Sequence, residues 1–361
     1  YVQEAASQFI DHIIAQEELQ GKRVLDMCSA PGGKTTIYST AVGREGLVVA
    51  NEYVRSRANI LADNVRKWGM GNVLVTNNAP EHIAQFEGWF DLVAVDAPCS
   101  GEGMFRKDQV AVDEWSLENV DICWQRQRRI LTDIWPSLKP GGLLIYSTCT
   151  FNREEDEDNV AWIARELGAE ILPVSIDDSW GITGNLVGRD FPVYRFLPHK
   201  TKGEGFFLAV LRKDGDVCEE TPKRFSKTSA RMDKKKKGKD TKQPLVVPKE
   251  AKEWLASASD YTLAMKDTQV VAFPKAYQDE YALLQQYLKV IHAGITLGEI
   301  KGKDLIPHHS LAMSTALAED LFPKAEVSYE QAIAYLRKEG LILDTDVPRG
   351  YVLLTYQGIP L

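Results

Sequence analysis

The sequence predicts an α/β fold built on a parallel sheet covered on both faces, followed by a separate, smaller α+β module. Three observations carry that expectation. Over residues 1–212, short apolar runs alternate with helical stretches, the pattern of strands joined by crossover helices. The apolar periodicity lapses over 213–245, a stretch containing Lys234-Lys235-Lys236-Lys237 that reads as a basic, flexible linker. It resumes over 246–361 in a different mixture, helical at first and then short strands and glycine turns. A chain of 361 residues is long for one core and suits two or more domains.

Within the first region, residues 4–19 read as an amphipathic helix and Arg23–Met27 as a short buried strand, followed by a glycine-bearing turn and a helix from about Thr35. Strands follow at Leu47–Ala50, Val73–Val75 and Asp91–Val95, with a helix over 54–68 between the first two. A long helix is expected at about 118–137, broken by Lys139-Pro140-Gly141-Gly142 before a strand at Leu143–Tyr146. A helix at 154–167 and a final strand at Gly205–Leu211, antiparallel at the sheet's end, complete the region. In the second region helices are expected at 279–291 and 328–338, and Trp254, Tyr261 and Tyr277 as core. The chain opens at Tyr1-Val2-Gln3-Glu4 and stops just after the apolar run Tyr351–Leu354, so both ends are expected to be cut from a longer protein.

The net charge of −8 argues against a protein that coats polyanions indiscriminately. The average conceals a contrast, because residues 213–245 hold eleven Lys/Arg against six Asp/Glu and so carry +5. A local basic surface remains compatible with the total. No apolar run is long enough to span a bilayer. The five cysteines, at 28, 99, 123, 149 and 218, form no Cys-x-x-Cys and none pairs with histidine at zinc-finger spacing, so no metal site is expected. An odd, scattered set suits reduced thiols in the cytoplasm.

The turn after the first strand reads Cys28-Ser29-Ala30-Pro31-Gly32-Gly33-Lys34-Thr35. Such a turn brings backbone close to a ligand at the carboxyl edge of a parallel sheet. It lacks the three spaced glycines of a dinucleotide fingerprint. It also departs from a phosphate loop, with Cys28 at the first glycine position and Pro31, which has no N–H, inside. Glu52, at the end of the second strand, lies about where an acidic residue accepts hydrogen bonds from ribose hydroxyls. Together these features point to a nucleoside cofactor.

Two further cysteines follow strand ends, in Asp96-Ala97-Pro98-Cys99-Ser100-Gly101 and in Ser147-Thr148-Cys149-Thr150. The ordinary cysteine is a small buried hydrophobe, but such a residue belongs inside a strand and not in the turn after it. Two thiols and a carboxylate beside a nucleoside-cofactor turn suit methyl transfer to C5 of cytosine. That carbon is a poor nucleophile until a thiolate adds to C6. A second ionisable group then assists removal of the C5 proton, and an acid such as Asp96 stabilises the adduct through the base's N3/N4 edge. Either Cys149 or Cys99, the latter in a Pro-Cys pair as in DNA cytosine methyltransferases, meets the chemical requirement.

Three strings in order, Asp26–Thr35, Asp96–Lys107 and Tyr146–Phe151, make residues 1–212 resemble the NOL1/NOP2/Sun family of RNA cytosine-C5 methyltransferases. The run Glu154-Glu155-Asp156-Glu157 fits the family's next helix, with Asp156 where asparagine is usual, and Arg195–His199 with Gly203–Phe207 fit its last motif. The pattern after Cys99 and the segments Gly294–Glu299 and Pro307–Ala312 are most similar to the bacterial branch that acts on 16S rRNA and carries a PUA-like RNA-binding module.

The resemblance implies a Rossmann-like, S-adenosylmethionine-dependent methyltransferase domain, releasing S-adenosylhomocysteine, with a C-terminal α+β PUA-like module. It implies Cys149 as nucleophile, Cys99 as the group assisting product release, and Asp96 between cofactor and base. Cys28, Ser29, Ala30, Pro31, Gly32, Gly33 and Lys34 would hold the methionine part, Glu52 the ribose, and Arg57 and Asn78 the adenosine. Asn78 stands in Thr76-Asn77-Asn78-Ala79, where the family commonly has an acid. The implied partner is RNA, 16S rRNA or the small ribosomal subunit, met by a cytoplasmic monomer. The competing readings are a tRNA methyltransferase, a DNA cytosine methyltransferase, an RNA-binding assembly protein on an inactive methyltransferase fold, and a nucleoside triphosphatase. His308-His309 would either touch RNA or serve a helix start.

Overall fold

The computed structural model describes residues 3–216, 246–343 and 346–361; the basic run at 234–237, Cys218 and most of the expected linker lie outside them. The described residues form two compact units, one drawn from Tyr1–Ala62, Asn72–Lys234 and Tyr281–His292, the other from Asp63–Gly71, Lys235–Glu280 and Ala293–Leu361.

The first unit is a mixed sheet of nine strands. Five strands, β1 (Arg23–Met27), β2 (Leu47–Asn51), β3 (Val73–Thr76), β4 (Phe90–Asp96) and β5 (Leu138–Thr148), run parallel in the order β3-β2-β1-β4-β5. Their Val, Leu and Ile side chains are buried on both faces, as a sheet sandwiched between helices requires. Chain order reverses at β1, which pairs with both β2 and β4. The loops after β1 and β4 therefore part there and leave a crevice at the carboxyl edge. The helices are α1 (Phe9–Ile14), α2 (Gly33–Val42), α3 (Arg55–Trp68), α4 (Gln109–Glu114), α5 (Leu117–Ile134) and α6 (Glu157–Trp162).

Several boundaries differ from expectation for local reasons. The helix expected over 4–19 is reduced to a 3-10 turn at Ala6–Gln8 and α1, because the apolar face ends at Ile14. Lys139-Pro140-Gly141-Gly142 does not precede β5 but lies within it, as an irregularity where Phe90 pairs with Leu138 and Leu92 with Leu143. Gly141, at φ +72°, supplies the left-handed residue of that bulge. α6 ends at Trp162 and widens into a π-type turn over Ile163–Gly168.

The strand after residue 205, β8 (Phe206–Lys213), is antiparallel as expected but not terminal. It lies between β5 and β6 (Ala169–Leu172) and also pairs with β7 (Tyr194–Phe196). β6 and β7 are too short to show a period. The helix expected over 279–291 stops at Tyr287, and the β-branched Val290 and Ile291 begin a strand, Val290–Ala293, that extends the sheet beside β3.

The second unit has a four-stranded antiparallel sheet in the order Asp304–Pro307, Ile295–Lys301, Gln269–Pro274, Tyr261–Lys266. Trp254, Val270, Leu297 and Leu311 lie in its core, with Tyr261 packed against it, and Tyr277 is also buried. A smaller sheet joins Lys324–Glu326, Leu353–Tyr356 and Ile359–Pro360, and a helix at Tyr329–Leu336 starts from a Ser328/Gln331 capping box. His308 serves a helix start: its Nδ1 accepts from Ser310 N at 3.0 Å. Among the described residues no helix is long and apolar enough to cross a membrane.

The acidic run at 154–157 is largely interior. Glu155, Asp156 and Glu157 are fully buried, and Glu157 and Asp156 both pair with the buried Arg195, the latter at 3.0 Å. Burial, reinforced by the charges of Glu157 and Glu155, pushes the Asp156 carboxyl well above the usual range in spite of Arg195 and a Thr148 hydrogen bond. Between the unfolded pKa of about 3.9 and the raised folded value, the folded chain keeps a proton that the unfolded chain has lost. Stability therefore falls as pH rises through that window. Asp156→Asn removes this dependence. Its melting temperature is expected to gain on the wild type between pH 5 and pH 8, by roughly 2–4 °C per kcal/mol relieved. A pH-independent difference in thermal melts would contradict the assignment.

Candidate active site

The turn after β1 is fixed from several sides. Cys28 has φ +64° and Gly32 φ +112°, so the chain doubles back on itself before α2. Ser29 donates from its backbone N to Asn51 O at 3.0 Å and from Oγ to Asp26 O at 2.5 Å. Thr35 Oγ donates to Asp26 Oδ2 at 2.5 Å, and Arg57 Nη2 to Ala30 O at 3.0 Å. Beside the turn lies a cavity of about 210 Å³, lined by Asp26, Cys28, Ser29, Pro31, Lys34 and Asp96 among others. Burial pushes the Cys28 thiol up, reinforced by the Glu52, Asp96 and Asp26 charges, so this cysteine stays protonated.

Sequence reasoning missed two parts of this cavity. Asp26 is buried and its pKa is pushed up to about 7, chiefly by burial and against the Thr35 hydrogen bond. Gln3, Glu4 and Ser7 form another part of the wall, and Gln3 Nε2 reaches Gly33 O at 2.8 Å and Thr36 Oγ at 2.5 Å. Only the position of Asp26 at the end of β1 signalled the first, and no local pattern marked the second.

Glu52 follows β2, with a side chain only 4% exposed. Its Oε1 accepts from Val54 N at 2.9 Å, while its Oε2 has no hydrogen-bond partner, the Arg57 guanidinium standing 3.7 Å away. A buried carboxylate oxygen without a donor is costly, and two neighbouring ribose hydroxyls are the donors that this place by a nucleoside crevice would meet. The residues present thus fit S-adenosylmethionine on the evidence of an orphaned acceptor. Asn78 is differently engaged: its Oδ1 accepts from Lys289 N at 3.0 Å, in the strand-forming segment beside β3, and its backbone O accepts from Asn51 Nδ2 at 3.0 Å.

The two thiols meet. β4 and β5 are paired in parallel, with Asp96 beside Ser147, and Ala97 N continues the ladder to Ser147 O at 2.8 Å. The loops that follow leave together, and Cys99 Sγ lies 3.0 Å from Cys149 Sγ, with Cys149 N also donating to Cys99 Sγ at 3.3 Å. Asp96 accepts from Lys34 Nζ and from Ser147 Oγ, each at 2.9 Å. Burial works against the Lys34 ammonium, but Asp96 and Asp26 more than offset it and raise its pKa.

The sulfurs are electrostatically unequal. The hydrogen bond from Cys99, helped by Lys34, lowers the pKa of Cys149 despite burial and nearby carboxylates. The same hydrogen bond, with burial and the Cys149 and Glu155 charges, raises that of Cys99 well above the ordinary thiol. The geometry therefore sets two sulfurs in contact, Cys149 the more readily ionised of them, and a lysine-paired carboxylate beside a nucleoside cavity.

A parallel sheet with this crevice and these groups defines the class of S-adenosylmethionine-dependent methyltransferases. Comparison with known proteins specifies it further. Residues 13–212 match the family described as 16S rRNA methyltransferase RsmB/F, and 322–361 match the Methyltransferase RsmF PUA domain. The chain is 31% identical over 373 residues to Ribosomal RNA small subunit methyltransferase F of Klebsiella pneumoniae (strain 342), covering all of this chain and 74% of that protein. It is 30% identical over 363 residues to the protein of the same name from Aliivibrio salmonicida, covering 99% of this chain and 74% of the relative.

Among solved structures, one titled "Crystal Structure of PH0851" superposes with a TM-score of 0.52 at 30% identity, over 59% of this chain and 47% of that one. NSun6 from Pyrococcus horikoshii, solved with SFG, gives 0.51 at 28% identity over 60% and 53%. The chain belongs to the 16S rRNA methyltransferase RsmB/F family; it is an S-adenosylmethionine-dependent RNA methyltransferase with a PUA-like module.

Glu52→Gln turns the orphaned acceptor's group into an amide. It is expected to weaken S-adenosylmethionine binding by about tenfold or more, the loss of a charged hydrogen bond, without unfolding the chain. Calorimetric titration checks this, and an unchanged affinity would exclude Glu52 from the ribose site.

Proposed function

We propose that this protein methylates C5 of a cytosine in 16S rRNA through a covalent bond between Cys149 and C6 of the base. The observation that carries the reading is the 3.0 Å approach of two sulfurs of opposite titration behaviour next to a lysine-paired aspartate.

Cys149 is the group most readily ionised, and a thiolate, not a thiol, adds to an electron-poor ring carbon. Its addition to C6 forms the S–C bond and makes C5 nucleophilic. Asp96, held by Lys34 and Ser147, faces the N3/N4 edge of the base and stabilises the charge that develops there. The bound cofactor supplies an electrophilic methyl group; Cys28 to Lys34 would hold its methionine part and Glu52 its ribose, while Arg57 braces the turn at Ala30.

The shared hydrogen bond gives Cys99 its later role. While Cys149 is a thiolate, Cys99 is held as a thiol by donating to it. Once the sulfur of Cys149 is bound to carbon, that thiolate no longer retains the Cys99 proton. Cys99 is then freer to ionise, its proton passing to solvent, and as a thiolate it takes the C5 proton. The electron pair of the C5–H bond re-forms the C5–C6 double bond, and Cys149 leaves as thiolate.

Asn78 offers the adenine end shape more than hydrogen bonding, since its side-chain oxygen serves Lys289 and its backbone N–H and carbonyl both pair with Asn51. The alternative in which Cys99 attacks first asks the thiol that is harder to ionise to act as nucleophile, and the asymmetry of the pair speaks against it.

With labelled S-adenosylmethionine and small-subunit RNA, Cys149→Ala is expected to lose methylation and adduct formation by about 10³-fold or more. Cys99→Ala should accumulate a covalent RNA complex visible on denaturing gels. Trapping in Cys149→Ala and not in Cys99→Ala would reverse the assignment, and bisulfite mapping of 16S rRNA locates the target.

A further inference from the structure

Two carboxylates behind the sulfurs take no part in the steps above. Glu155 is fully buried, and among the described residues no cation pairs with it. It accepts instead from neutral donors: Ser100 N at 3.3 and 3.1 Å to its two oxygens, Gln127 Nε2 at 2.6 Å and Asn152 Nδ2 at 2.8 Å. Ser100 directly follows Cys99, and Asn152 lies in the loop that carries Cys149. Gln127 Nε2 also donates to Pro98 O at 3.0 Å, on the other side of Cys99. One carboxylate thus grips both cysteine loops.

Glu102 makes the converse grip. It lies in the loop after Cys99 and accepts from Thr150 Oγ at 2.8 Å and Phe151 N at 2.7 Å, the two residues after Cys149. Its other oxygen accepts from the Trp115 indole at 3.0 Å. Gly103 N closes the loop pair by donating to Cys149 O at 2.9 Å.

We propose that Glu155 and Glu102 are positioning residues, a reciprocal carboxylate clamp that sets the separation and facing of the two active-site sulfurs. The inference rests on the catalytic reading of the pair given above. Its physical basis is that a carboxylate presents only acceptors and can gather N–H groups converging from two loops, whereas an amide must turn a donor toward one of them. The sign of the charge supports a geometric role. Glu155 opposes ionisation of both thiols, so on electrostatic grounds alone a neutral residue would serve thiolate chemistry better. Its place is explained by what it holds.

The two effects predict opposite shifts, which makes the clamp testable in the full chain, the thiolate readout without RNA and turnover with it. The pH dependence of Cys149 alkylation by iodoacetamide, followed by peptide mass spectrometry, reports its thiolate. If Glu155 acts only as a charge, Glu155→Gln lowers the midpoint. If it is a clamp, the Cys99 hydrogen bond is lost and the midpoint rises by about one pH unit, with kcat falling ~100-fold through misplacement while S-adenosylmethionine affinity stays within about twofold.

Glu155→Asp keeps the charge but shortens the reach, and it should shift the midpoint upward in the same way. A midpoint that falls or stays put in Glu155→Gln overturns the proposal. Should the buried variant fail to bind cofactor or melt cooperatively, Glu102→Gln, at a partly exposed position, carries the same test: a rise supports the clamp and no rise overturns it. Failure of the catalytic reading is seen separately, as absence of a trapped adduct in Cys99→Ala with both glutamates intact.

Discussion

The parallel pairing of β4 with β5 is the constraint on which the site depends. Their register sets Asp96 beside Ser147, and one further ladder bond, from Ala97 N to Ser147 O, sends both following loops off the same edge of the sheet. Cysteines 50 residues apart in sequence then lie at 3.0 Å. A slip in register would displace every group at this edge together, because alternate residues of a strand face opposite sides. The buried runs of β1, β4 and β5, covered on both faces, resist such a slip more than any contact within the site could.

Around that edge the interior is unusually polar, and each buried charge has a distinct form of compensation. Lys34 and Asp96 compensate one another at 2.9 Å while still partly open to solvent. Arg195 is shared between Glu157 and Asp156, so one positive charge faces two acids, and the raised pKa of Asp156 is the physical response to the excess. Asparagine at that place would leave a balanced pair. Glu155 is satisfied by neutral donors alone, and Glu52 is half satisfied. The open acceptor of Glu52 thus lies where a nucleoside would be received, while the fully met Glu155 lies where loops must be held still.

What could be read in the sequence follows from how local the governing physics is. The β1 turn was legible because Cys28-Ser29-Ala30-Pro31-Gly32-Gly33 is local backbone chemistry, and Cys99 and Cys149 were legible because thiols just past apolar runs lie at a sheet edge. The antiparallel β8 was recognised from its apolar run, but not its interior place, since β6 is only four residues, too short to show a period. Glu155 was opaque for a different reason. Nothing within Glu154-Glu155-Asp156-Glu157 distinguishes the exposed first residue from the three buried ones, because their burial is decided by Ser100, Gln127, Thr148 and Arg195 far along the chain. The same holds for Gln3, whose partners are on α2.

The unequal division of labour between two identical side chains is the last step that the geometry explains. Cys149 and Cys99 share a hydrogen bond, so the proton has to lie with one of them, and their surroundings decide which. Lys34 acts on Cys149, while Cys99 has Glu155 bound to the adjacent backbone N–H, and the Glu155 charge opposes its ionisation. The surroundings thus favour ionisation of Cys149 over Cys99 before reaction. This arrangement suits a sequence of addition followed by elimination, in which the first step needs a thiolate and the last needs a base. A pair of thiols with the same pKa would populate the wrong monoanion as often as the right one. On the proposed mechanism the asymmetry exists before substrate arrives and is relaxed by the reaction itself, since a bond from Cys149 to carbon would remove the charge that favours a protonated Cys99.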